Sequence, residues 1–278
     1  MSRNFRELLE ARWDEGKFLC VGLDSDLEKI PEAVRKEDTR TTIVAFNRAI
    51  IDATKVIVCA FKLNPAFYEA HGDEGAAALR ETIAYILDVA PEAPVILDAK
   101  RGDIANTNKS HAIAAFDHLR ADAVTVSPYL GGEPLEPFFA HKDKGVIVLC
   151  HTSNPGAKEI QDLSVDGGEP LYKLIARSAA GKWNTNGNCC LMVGATYPEE
   201  LAEVRAIADD LPILVAGIGA QDGHLAETVR GGLDSRGRGL IMNASRSIIF
   251  ASRGTDFAEV ARKKAEELHG AIGKALLQ

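Results

Sequence analysis

Residues 97–104 read Leu-Asp-Ala-Lys-Arg-Gly-Asp-Ile, so two acids and two bases lie within one short stretch. The run Pro94-Val95-Ile96-Leu97 leads into it. An apolar, β-branched run that ends abruptly in charge predicts a buried strand whose last residues reach a solvent-facing rim. Side chains two apart on a strand share a face, so Asp98 and Lys100 are expected to point into one site. Gly102 is expected to allow a sharp turn that brings Asp103 back toward them. Alternating charge this dense is costly to bury without a task. Metal binding is one such task, since the paired carboxylates of Asp98 and Asp103 could ligate Mg²⁺.

The elements that must position these groups recur along the whole chain. Short apolar runs at Phe18–Leu23, Val56–Leu63, Val95–Leu97, Ala123–Val126, Val146–Cys150, Cys190–Val193, Ile213–Ala216 and Leu240–Met242 predict strands. Helical periodicity lies between them at Thr41–Ala53, Gly75–Ala90, Lys109–Leu119, Leu171–Gly181, Pro198–Ala208 and Gly223–Val229. Eight alternating units predict one (β/α)8 TIM barrel covering residues 1–278, with a doubly wound open sheet as the alternative. Extra helices are expected at Asn4–Trp13 and at Asp256–Leu268, the latter capped by Thr255. Glu159–Glu169 and Leu233–Gly239 read as long loops, either lids or plain surface.

The chain has 278 residues, a length usual for such a barrel. Its hydrophobic content of 46% and charged content of 26% describe a soluble globular protein. A net charge of −8 argues against nucleic acid as the main partner. The five cysteines show no CxxC spacing and sit in apolar runs, which predicts buried reduced thiols in a cytoplasmic protein. No apolar stretch is long enough for a membrane span, and the first residues lack an apolar signal core.

Active sites of such barrels lie at the C-terminal strand ends. Those ends carry Asp24, Lys62, Asp98-Ala99-Lys100, Ser127-Pro128-Tyr129, His151-Thr152-Ser153, Gly217-Ile218-Gly219-Ala220-Gln221 and Asn243-Ala244-Ser245-Arg246-Ser247. The last two groups predict a phosphate site. Gly217 and Gly219 let backbone N–H groups approach an anion, Ser245 stands where a short helix can begin, and Arg246 can clamp the anion bidentately. A dinucleotide reading is poorer, because the Gly-x-Gly-x-x-Gly pattern fails at Asp222. For any single charged residue, a structural ion pair is the simpler account. Asp24, Lys62, Asp98, Lys100 and Asp103 gathered at successive strand ends are harder to explain that way. The two lysines already neutralise the carboxylates and so oppose a metal. His71, His111, His118, His141 and His224 form no metal-ligand spacing and read as solvated, while His151 stands at a strand end with its role open.

Asp98-Ala99-Lys100-Arg101-Gly102-Asp103-Ile104-Ala105-Asn106-Thr107 closely resembles the signature of the orotidine 5′-phosphate decarboxylase family, in its longer-chain branch. The resemblance extends to Asp24 in Val-Gly-Leu-Asp, Lys62 in Phe-Lys, Ser153 in Thr-Ser-Asn-Pro-Gly, Gln221 in Gly-Ala-Gln and Arg246 in Ser-Arg-Ser-Ile, and so spans nearly the whole chain. It implies decarboxylation of orotidine 5′-monophosphate to uridine 5′-monophosphate, with no cofactor and no metal. It also implies roles. Asp24 and Lys62 would contact the ribose, and Asp98 would lie beside the substrate carboxylate. Lys100 would protonate C6, and Ser153 would hydrogen-bond the pyrimidine. Gln221 and Arg246 would hold the 5′-phosphate, with Ser245 beside them. Asp103, Ile104 and Thr107 would cross a homodimer interface into the partner's site. Two departures stand out. The loop after Gln221 is short and lacks the tyrosine that some relatives add to the phosphate grip, and the Glu159–Asn188 region is long.

Two other functions remain open at this level. Metal-assisted lyases acting on sugar phosphates share the Asp-x-Lys-x-x-Asp core, but would need an acid where this chain has Lys62. A non-catalytic nucleotide-binding barrel would bind UMP without turnover, and it has no need for Lys100 between two acids.

Overall fold

The computed structural model describes residues 3–218 and 224–277. Eight parallel strands close into a barrel: β1 (Leu19–Gly22), β2 (Ala60–Leu63), β3 (Val95–Arg101), β4 (Ala123–Val126), β5 (Gly145–His151), β6 (Cys189–Gly194), β7 (Ile213–Ala216) and β8 (Leu240–Ala244). Each pairs with its sequence neighbours, and β8 returns to pair with β1, Leu19 facing Met242 and Cys20 facing Asn243. The closure excludes the doubly wound sheet. All five thiols are buried and unpaired. No helix among the described residues is long and apolar enough to cross a membrane.

The strands are buried on both faces, as a parallel sheet sheathed in helices requires. Their boundaries differ from the expected ones in instructive ways. β2 starts at Ala60, because Val56 lies 55% exposed in the turn that follows the helix Thr39–Thr54. β3 continues through the charged residues to Arg101. The helix expected at Lys109–Leu119 begins at Ala105 and widens into a π-helical turn over Ile113–His118. The last helix runs Phe257–Leu276, and Asp256 rather than Thr255 occupies its N-cap position, without a side-chain cap.

The helix Phe5–Asp14 seals the floor. Asn4 accepts hydrogen bonds from the backbone N–H groups of Arg6 and Glu7, fixing the first turn. Phe5, Leu9 and Trp13 then share its buried face. The Phe5 ring sits so close to β5 that a Cβ on Gly145 would lie 2.3 Å from it. The Trp13 indole N–H donates to the Leu240 carbonyl at the start of β8, 2.8 Å away. The Leu233–Gly239 segment also lies at this end, since it leads into β8. The Asp234 carboxylate accepts the backbone N–H groups of Arg236 and Arg238, both at 2.8 Å, so the segment is a compact turn remote from the strand ends that carry the charges.

Phe5→Ala opens a void in this floor and is expected to destabilise the fold by about 3–5 kcal/mol. Urea unfolding of the two proteins measures it, and a change under 1 kcal/mol would show that the floor does not depend on this ring.

Candidate active site

At the C-terminal rim, four side chains form an alternating chain. Lys62 Nζ lies 3.6 Å from Asp24 Oδ1 and 2.9 Å from Asp98 Oδ2, and Lys100 Nζ lies 2.6 Å from Asp98 Oδ1. The Thr125 hydroxyl on β4 donates to Asp98 Oδ1 at 3.0 Å. Burial alone would raise the Asp98 carboxyl, but the ammonium groups of Lys62 and Lys100 outweigh it and hold the group down at about 2. Asp98 is thus an anion at any physiological pH. Burial alone would likewise lower Lys62, yet Asp98 and Asp24 keep it above the usual lysine range.

The two lysines are not equivalent. The Lys62 side chain is 3% exposed and held between two carboxylates. The Lys100 side chain is 40% exposed and touches one. Backbone geometry makes that difference. Leu97 faces Val124 and Arg101 faces Val126, so β3 advances four residues while β4 advances two. Lys100 sits in this irregularity at φ +47°, a left-handed conformation that is uncommon outside glycine, with its N–H donating to the Thr125 hydroxyl oxygen at 2.9 Å.

Two cavities adjoin this chain and meet at Ala216. One, of about 680 Å³, is lined by Asp24, Lys62, Asp98, Gly217 and the Asn243–Ser247 segment. The other, of about 430 Å³, is lined by Lys100, Leu149, Ser153, Gln161, Met192 and Gly194. The first holds groups that could meet an anion beside its two carboxylates. Gly217 adopts φ +91°, and Arg246 is exposed at the start of a short turn that Ser245 precedes. Gly22 on β1 makes room for that turn, since a Cβ there would lie 1.8 Å from Ser245 Oγ. Gly194 does the same for the second cavity, where a Cβ would lie 2.6 Å from the Ser153 backbone nitrogen.

Asp24, Lys62, Asp98, Lys100, Ser153, Ser245 and Arg246 therefore gather around one compound cavity. Gln221 lies outside the described residues. Asp103 departs from the expectation of a turn back toward Lys100. Gly102 packs against the Ser127 carbonyl, where a Cβ would come within 2.6 Å, and the chain turns outward. Asp103 is exposed and accepts the Ile104 N–H at 2.7 Å, and it forms no ion pair among the described residues. Ile104 is 61% exposed, and Thr107 lies half-buried on the helix Ala105–Ala112.

Three groups were given no individual role in the sequence reading. Thr125 supports both Asp98 and the Lys100 backbone. Asn243 is buried against Gly22 in the first cavity, and its Oδ1 has no partner among the described residues. Gln161 reaches the second cavity from the long segment after β5. A polar residue in the middle of the apolar run Leu240-Ile241-Met242-Asn243-Ala244 was the available signal for Asn243.

The profile of the "Orotidine 5'-phosphate decarboxylase / HUMPS family" matches residues 17–267. The chain is 46% identical over 273 residues to the orotidine 5′-phosphate decarboxylase of Cellvibrio japonicus (strain Ueda107), covering 98% of this chain and 99% of that one. It is 49% identical over 248 residues to the enzyme of the same name from Herpetosiphon aurantiacus, covering 89% and 90%. Among solved structures, Leishmania donovani OMP decarboxylase superposes with a TM-score of 0.85 at 41% identity, over 99% of each chain. By profile, by sequence and by fold, the chain belongs to the orotidine 5′-phosphate decarboxylase / HUMPS family.

Proposed function

We propose that this barrel is a carboxy-lyase that converts orotidine 5′-monophosphate to uridine 5′-monophosphate and CO₂ without a cofactor. One observation carries the assignment of roles. Of two lysines on one buried carboxylate, Lys62 is 3% exposed and held between two acids, whereas Lys100 is 40% exposed and bound to one. Lys100 is therefore the proton donor. The ribose and phosphate occupy the cavity of Asp24, Lys62, Asn243, Ser245 and Arg246, with Gln221 joining the phosphate grip. The pyrimidine occupies the cavity of Ser153 and Met192. The reacting carbon then falls beside Asp98 and Lys100, where the two cavities meet.

In the reaction the bond from C6 to the carboxylate breaks, CO₂ leaves, and the electron pair stays on C6. The Lys100 ammonium stabilises that pair and then delivers its proton to C6, becoming a neutral amine that solvent recharges. A charge pair at 4 Å with an effective dielectric of 20 is worth about 4 kcal/mol, close to three powers of ten in rate. The ionised Asp98 repels the substrate carboxylate, and departure of CO₂ relieves the repulsion. Phosphate binding remote from C6 holds the substrate against it.

A homodimer completes each site. A second copy supplies Asp103, Ile104 and Thr107. The outward turn of Asp103 supports this, as does the apolar surface of Ile104, Tyr129 and Leu130 at the ends of β3 and β4. Five buried free thiols suit a reducing cytoplasm. The metal-assisted lyase reading needs a carboxylate at the end of β2. The Lys62 ammonium stands there instead, 2.9 Å from Asp98.

Lys100→Ala is expected to lower kcat by at least about 10³-fold while UMP binding largely survives; near-normal turnover would end the assignment of the proton donor. Arg246→Ala is expected to weaken UMP by several kcal/mol and to leave uridine unchanged, measured by calorimetry. Equal loss for both ligands would place the phosphate elsewhere. Pyrimidine absorbance followed after adding orotidine 5′-monophosphate should fall at the same rate with and without EDTA, and inhibition by EDTA would favour the metal-assisted lyase.

A further inference from the structure

Residues 155–188, between the end of β5 and β6, have no part in the scheme above, yet they are tied to the cavity assigned to the pyrimidine. β5 ends in an irregularity, where Leu149 faces Met192 and His151 faces Val193, so β5 carries one extra residue there. From there residues 157–170 form an excursion, a short helix (Ala157–Ile160) followed by a two-stranded ribbon of Ser164–Val165 against Glu169–Pro170. Two consecutive side chains of this excursion reach back to the strand end. Gln161 Oε1 accepts the Thr152 backbone N–H at 2.8 Å, and Gln161 Nε2 donates to the Thr152 hydroxyl at 2.9 Å. That hydroxyl in turn donates to Asn154 Oδ1 at 2.7 Å. The Asp162 carboxylate accepts the His151 Nε2–H at 2.8 Å. The His151 ring is fully buried and packs edge-on against Tyr172 and Tyr197, with centroids 4.9 and 4.6 Å away. The Gln161 backbone carbonyl accepts the Tyr172 N–H at 3.0 Å, which anchors the excursion to the barrel helix Leu171–Ala180.

Ser153 lies between Thr152 and Asn154. Both of its flanking residues are held by Gln161, directly at Thr152 and through the Thr152 hydroxyl at Asn154. Gln161 itself lines the cavity together with Ser153 and Lys100. Polar groups so linked have few alternative arrangements, and the loop is preorganised before a ligand arrives. We propose that Gln161, seated by Asp162 on His151, is the positioning residue for base recognition: it fixes the Thr152–Asn154 loop so that Ser153 meets the pyrimidine ring. The role rests on the decarboxylase reading for which face of the nucleotide enters this cavity.

The test separates ligands that carry a base from one that does not. Kd values for UMP and for ribose 5-phosphate are measured by calorimetry on wild type, Gln161→Ala and Thr152→Val, with melting temperatures recorded for each. Gln161→Ala is expected to weaken UMP by about tenfold and to leave ribose 5-phosphate unchanged. Thr152→Val keeps the N–H bonded to Gln161 and deletes only the hydroxyl, so it is expected to give a smaller loss with the same selectivity. A general loosening of the fold would weaken both ligands alike, and that result overturns the proposal, as does an unchanged UMP affinity in Gln161→Ala. Wild-type protein that holds UMP no tighter than ribose 5-phosphate would remove the base cavity and the proposal with it. Selective loss of UMP binding in a protein that never turns over orotidine 5′-monophosphate would sink only the decarboxylase reading.

Discussion

The buried carboxylate of Asp98 is the constraint on which the rest of this site depends. An ionised carboxylate inside a protein is strongly unfavourable unless several donors replace the water it has lost. Here the donors are the ammonium of Lys62, the ammonium of Lys100 and the hydroxyl of Thr125. They come from β2, β3 and β4, so the charge is tolerated only while three neighbouring strands keep their register. The apolar layer beneath, with Phe61, Ile96 and Val124 all fully buried, keeps that register. Sheet and charge cluster are in this sense one unit. The sheet makes the anion tolerable, and the anion holds two chemically identical ammonium groups at very different exposures.

Regular strands alone would not produce that difference. Both strands that carry the polar rim of the second cavity, β3 and β5, are irregular at their last residues. A bulge re-aims a side chain without disturbing the pairing below it. At Lys100 it brings a left-handed backbone, a conformation that costs of order 1–3 kcal/mol and persists only where the surroundings overdetermine it. The Thr125 hydroxyl, bonded to both the Lys100 N–H and the Asp98 carboxylate, is one of the groups that do so.

Much of this was legible in the sequence, and the failures have physical causes. Strand ends could be located because apolar runs stop abruptly at Asp24, Lys62 and Asp98, and the strand-order rule of parallel barrels then collects those residues at one rim. Val56 was misread because hydrophobicity does not distinguish a strand residue from an apolar side chain left exposed in a turn. The path of Asp103 was misread because glycine signals permission to turn without the direction. The direction goes with the close packing of Gly102 on the Ser127 carbonyl, a contact between the residues just past β3 and β4. Gln161 and Asp162 gave no signal at all. Amide and carboxylate residues are ordinary in loops, and their role exists only through partners on the preceding strand end.

The first and last strands of the barrel meet at the cavity lined by Asp24 and Arg246. Asp24 follows β1 and Arg246 follows β8, and the cavity between them exists only because Leu19 pairs with Met242 across nearly the full length of the sequence. Contacts of such separation carry the largest loop-closure cost and are expected to form late. A nascent chain that has emerged only through β7 would already contain Asp24, Lys62, Asp98 and Lys100, yet would lack Arg246 and the anion grip proposed above. On the proposed reading, anchorage comes after chemistry in the order of synthesis, and a ligand bound across the seam would act as a staple that holds first strand to last.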